Sequence, residues 1–128
     1  MRFLSVSQVL EIHRDQITRY GGGAGIRDMG LLLSALGMPQ ASFGGTHLHA
    51  DLKEMAAAYL YHIVSNHPFI DGNKRTGAVA ALVFLLMNGH ECTAPEEDLY
   101  EIVMAVARGE RSKSHVALFF EQSTIPKP

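Results

Sequence analysis

The 128-residue sequence holds a single cysteine, Cys92. An intramolecular disulfide is therefore excluded, and a reducing, cytoplasmic setting is expected. Long apolar runs are also missing. The longest, AVAALVFLLM from Ala78 to Met87, is about half the ~20 residues that a membrane span requires, so it is read as a buried helix and no membrane partner is expected. No basic run exists either, and 11 Lys and Arg stand against 13 Asp and Glu for a net charge of −2. That balance argues against direct nucleic-acid binding. Low-complexity tracts, internal repeats and linkers are absent, so residues 1–128 are expected to form one domain, large enough to bury roughly two-thirds of its unfolded surface. The first residues, MRFLSVSQVLEIHRD, turn polar and acidic too early for a secretory signal.

What is present is helical punctuation. Ser5 and Gln8 form a capping box before a helix to about Tyr20, with Val6, Val9, Leu10, His13, Ile17 and Tyr20 on one face. The run GGGAG, Gly21 to Gly25, ends it. Asp28 caps a short helix through Leu36, and residues 40–50 have no period and read as a loop. Asp51 and Glu54 open a third helix whose face is Leu52, Met55, Ala56, Tyr59, Leu60, Ile63 and Val64. His67 continues that face, and Pro68 disfavours further helix. A fourth helix runs from Gly72 or Asn73 to Asn88. Being apolar nearly all round, it is expected to be buried on all sides. Thr93 and Glu96 suggest another capping box, with Leu99, Ile102, Val103 and Val106 inside, and a last helix follows Ser112 with Val116, Phe119 and Phe120 inside. No strand alternation is visible. The expected fold is all-α, about six helices around a buried central one.

The stretch HPFIDGNKRTG, residues 67–77, carries the chemistry. Lys74 and Arg75 stand at the start of the most apolar helix, the end whose partial positive charge and free N–H groups disfavour cations. A strongly anionic ligand resolves the conflict. The N–H groups of Asn73, Lys74 and Arg75 would point at it, and Gly72 would let backbone approach it. Asp71 is a hard oxygen ligand suited to Mg²⁺, which commonly takes one or two carboxylates plus phosphate oxygens. His67 can serve as a general base. Singly, each residue has a plainer reading: Asp71 as an N-cap, His67 as a core histidine, Lys74 and Arg75 as a solvated pair, Phe69 as a core anchor. Their coincidence favours polyphosphate with Mg²⁺.

HPFIDGNKR resembles the signature of the Fic/Doc family, His-x-Phe-x-Asp/Glu-Gly/Ala-Asn-Gly/Lys-Arg. Upstream, GIRDMGLLLSAL, PQASFGG and AAAYLYHIVSNHPF resemble its death-on-curing (Doc) branch. The resemblance implies His67 as base, Asp71 as metal ligand, and Gly72, Asn73, Lys74 and Arg75 as the phosphate site. Fic enzymes transfer AMP from ATP to a hydroxyl. Lys74 in place of glycine, and Ala78 in place of a second arginine, are Doc-like instead. Doc proteins act as kinases that bind ATP reversed and phosphorylate a threonine of elongation factor Tu, halting translation. The resemblance thus implies ATP and Mg²⁺ as co-substrate and cofactor, elongation factor Tu as target, and a Phd-like antitoxin whose tail folds into a groove. AMP transfer and a non-catalytic binding module are the alternatives. The Fic inhibitory pattern Ser/Thr-x-x-x-Glu-Gly/Asn is not convincingly met, since Thr93 and Glu97 are followed by Asp98.

Three other features carry less. Gly25 and Gly30 have the spacing of a phosphate loop, but Leu31 and Leu32 follow where Lys and Ser or Thr are needed, so GGGAG is read as a turn. His47 and His49 lack a second ligand pair. Cys92 has no activating neighbour and is read as inert.

Overall fold

The computed structural model describes residues 1–128 and contains six helices. They are α1 (Val6–Tyr20), α2 (Met29–Gly37), α3 (Leu52–Asn66), α4 (Asn73–Met87), α5 (Glu96–Ala107) and α6 (Lys113–Ser123). The all-α expectation holds, with two small antiparallel additions. Strands β1 (Ser42–Phe43) and β2 (Thr46–His47) form a hairpin, and β3 (His90–Cys92) pairs with β4 (Thr124–Pro126). At two and three residues these strands are too short to show alternation.

Local signals account for most helix starts. Ser5 and Gln8 close a full capping box on α1. Asp28, Asp51 and Ser112 accept the N–H groups of Leu31, Glu54 and His115 at the starts of α2, α3 and α6. The cap expected at Thr93 does not form. Pro95 occupies the N-cap position of α5 without a side-chain bond, while the Thr93 N–H and hydroxyl both donate to Ser123 O. Thr93 thus continues the β3–β4 pairing rather than starting a helix.

The hub is α3. Residues 55–60 are buried without interruption, and the helix packs against α2, α4, α5 and α6. Three consecutive alanines, Ala56, Ala57 and Ala58, let neighbours approach on several sides, and Gly77 of α4 lies against Val64 and Leu60, where a Cβ would come within 2.8 Å of Val64 Cγ2. Helix α4 is not buried all round as expected. Ala80, Ala81, Phe84 and Leu85 enter the core, whereas Ala78, Val79 and Leu82 are only half-buried. Two further expectations need correction. Tyr20 is exposed, and its place on the inner face of α1 is taken by Gln16. Phe119 is half-buried, edge-on to the buried Phe120. No helix is long and apolar enough to cross a membrane.

Candidate active site

Residues 67–72 connect α3 to α4, the most extensively packed helix pair in the fold. Pro68 stops α3, and His67 takes up the left-handed conformation, φ 53° and ψ 53°, with its N–H on Ile63 O. Its side chain is exposed rather than in the core. Phe69 is the anchor. It is fully buried and stacks on the His13 ring with centroids 3.8 Å apart and planes 6° from parallel. His13 Nε2 donates to Asp71 O at 2.8 Å, tying the loop to α1. Asn73 closes the loop from below: Oδ1 accepts the Phe69 N–H at 2.9 Å and Nδ2 donates to Phe69 O at 3.0 Å. Its buried side chain is thereby committed, and only its backbone N–H remains for a ligand.

The start of α4 has the features of an anion site. Gly72 is its N-cap at φ 76° and offers no side-chain cap. The N–H groups of Asn73, Lys74 and Arg75 have no protein acceptor. Asp71 is not the N-cap. Its Oδ2 accepts the Gly23 N–H at 3.2 Å and its Oδ1 accepts the Gly72 N–H at 3.0 Å. These two bonds, followed by the charges of Arg75 and Lys74, hold its carboxyl below the usual carboxylate range, so it is ionised. Lys74 is exposed and, like Arg75, takes part in none of the three ion pairs of the fold. Arg75 donates to Gly21 O at 3.0 Å, and its guanidinium lies 5.3 Å from the centroid of the Tyr20 ring.

GGGAG proves to be more than a turn. Gly23 bonds Asp71, Gly21 bonds Arg75 and Gly25 O accepts the Ile70 N–H. At Gly22 a Cβ would lie 2.8 Å from Asp71 Oδ2. The glycines bring backbone directly onto the carboxylate. A run of glycines longer than a helix stop requires was the available signal. Spacing placed His13 on the inner face of α1 but gave no sign of the buried Gln16.

A cavity of about 710 Å³ opens beside this loop. Asp71, Gly72, Lys74 and Arg75 form its polar end with Gln16 and Tyr20, and the half-buried face of α4 forms an apolar floor facing Leu99, Val103 and Met104 of α5. His67 does not line it, and Asn73 lies beneath. No group of three or more His, Cys, Asp or Glu side chains is placed to hold a metal. A single ionised carboxylate fits Mg²⁺ bound mainly through phosphate and water. His47 is exposed beside Phe3, and His49 is buried apart from it. Cys92 lines the cavity, with its Sγ 3.8 Å from Ser123 Oγ.

The Fic/DOC family profile matches residues 3–85, from the start of α1 through most of α4. The chain is 37% identical over 117 residues to "Protein kinase doc" of Escherichia phage P1, covering 91% of each. It is 43% identical over 75 residues to "Toxin Doc" of Mycolicibacterium smegmatis, covering 59% of this chain and 58% of that protein.

Proposed function

The chain belongs to the Fic/Doc family, on its Doc branch, and from that premise we propose that it is a Doc-like toxin that transfers phosphate from ATP to a protein hydroxyl. One observation carries this reading. Two unpaired cations and one ionised carboxylate line the polar end of a single cavity, at the helix start whose first three N–H groups have no protein acceptor. Such a set suits a polyphosphate with Mg²⁺ and little else. Asp71 would hold the metal, which when bound neutralises phosphate charge. Lys74, Arg75 and the α4 amides would orient the phosphates.

His67, exposed at the α3 end of the loop, accepts the proton of an incoming threonine hydroxyl as that oxygen attacks the γ-phosphorus. The bond to the β-phosphate oxygen breaks and ADP leaves. Lys74 fills space and adds charge where an AMP transferase has glycine, which favours the reversed ATP orientation. Elongation factor Tu is the proposed substrate. A Phd-like antitoxin is the proposed partner, laying an amphipathic helix on the apolar part of the cavity.

The deciding experiment is the mass of elongation factor Tu after incubation with the protein, ATP and Mg²⁺. A gain of one phosphate is expected. A gain of AMP would make the protein an adenylyl transferase, and no gain with any hydroxyl-bearing target would leave it a binding module.

A further inference from the structure

His67 is the one residue other than glycine with positive φ. Glycine is the usual occupant of that position after a helix, because a Cβ crowds the backbone there. A side chain persists in it only where the surroundings fix it. Arg27 does so. Its Nε donates to His67 O at 2.7 Å and its Nη2 to Asn66 O at 3.0 Å. Both are carbonyls at the end of α3 that lack a helical donor. The Asn66 carbonyl belongs to the peptide plane before the His67 Cα and the His67 carbonyl to the plane after it. Rotation of these two planes is what φ and ψ describe, so one planar guanidinium fixes both angles. Backbone reinforces the grip: the N–H groups of Arg27 and Asp28 donate to Pro68 O at 2.7 and 3.0 Å, and Ile26 bridges to Phe69.

We propose that Arg27 is a positioning residue that sets the direction of the His67 imidazole by holding the peptide planes on either side of it. The proposal rests on the reading of His67 as the base. Lysine cannot replace it, since an ammonium is a point donor without the planar fork.

The test compares Arg27→Ala, Arg27→Lys and the control Asp28→Ala, which removes the α2 cap but no contact to His67. In Arg27→Ala, kcat for phosphate transfer is expected to fall roughly 10–100-fold, as for a small misplacement of a reacting group, with calorimetric ATP affinity unchanged. Exchange of the His67 amide, which bonds Ile63 O at 3.2 Å, is expected to quicken roughly tenfold. Added guanidinium ion should restore both, and Arg27→Lys should remain impaired. Asp28→Ala should lower Tm yet keep kcat. Full kcat in Arg27→Ala, or an equal loss of kcat in Asp28→Ala, overturns the proposal. If Arg27→Ala does not fold, Arg27→Lys carries the comparison. If the unmodified protein transfers no phosphate, the functional reading fails on its own. The exchange rates still decide the matter then, and an unchanged His67 amide rejects the role of Arg27.

Discussion

Two substitutions at His67 separate its chemistry from its conformation. If His67 is the base, as proposed, His67→Ala should cost about 10²–10⁴ in transfer rate. His67→Gly should be just as inactive but more stable than His67→Ala by about 1 kcal/mol, because glycine enters the left-handed region without a Cβ penalty. Turnover and Tm of the two variants check both halves, and a His67→Ala protein that still arrests growth refutes the base. Asn73 divides differently. Asn73→Ala should destabilise the fold by roughly 2–3 kcal/mol, since it strands the buried Phe69 N–H, whereas Asp71→Ala and Arg75→Ala should weaken Mg²⁺-ATP binding with little change in Tm. Calorimetry and thermal melts distinguish these outcomes. At this scale the motif named the residues of the loop, of which Asp71, Gly72, Lys74 and Arg75 line the cavity while His67 and Asn73 do not. It did not reveal that Asn73 spends its side chain on Phe69, because a buried amide clamp and a phosphate ligand call for the same residue type.

Between elements, the junction of α3 and α6 supplies a pH test. Lys113 Nζ donates to His62 Nε2 at 3.1 Å, and burial, then Lys113, then His49, push the His62 pKa down to about 4. His49 is lowered too, first by burial and then by Lys113. The unfolded chain takes up these protons near the ordinary histidine value of 6.5 while the folded chain resists them. Stability is therefore full above pH 6.5 and declines as pH falls toward 4. A urea midpoint measured from pH 8 to 4 should show that decline, and His62→Gln, which keeps an acceptor for Lys113, should flatten it. An equal decline in the variant rejects the cause. Histidine pairing across 51 positions left no trace in local spacing. Helix caps did, because cap and capped N–H lie three residues apart. Thr93 misled for the same reason: its partner, Ser123, is thirty positions away.

For the molecule as a whole, the open side of α4 matters more than its buried side. An apolar helix face reads as core in a sequence because hydropathy records what avoids water, not which molecule covers it. If an antitoxin helix covers it, Leu82→Asp, about two turns from Arg75, should leave ATP binding and growth arrest intact while abolishing rescue by the co-expressed antitoxin. Growth assays with and without that partner check this, and undiminished rescue would move the contact elsewhere. The salt response offers a second check. ATP affinity should fall with ionic strength, since Lys74 and Arg75 are unpaired and Lys74 is exposed.

The close approach of Gly22 to Asp71 also bears on how this chain can vary. In a library saturating positions 21–25, Gly22 should be the strictest site, because any side chain meets the carboxylate and the backbone there sits at φ 115°. Gly23 should accept alanine more readily, as it meets only a methyl of the exposed Ile70 at 3.2 Å. Survivors at position 22 should be found paired with a shortened or displaced side chain at 71, and a loss of Mg²⁺-ATP binding in them would agree with the role proposed for Asp71. The two positions, 22 and 71, are therefore expected to vary together although they lie far apart in the chain.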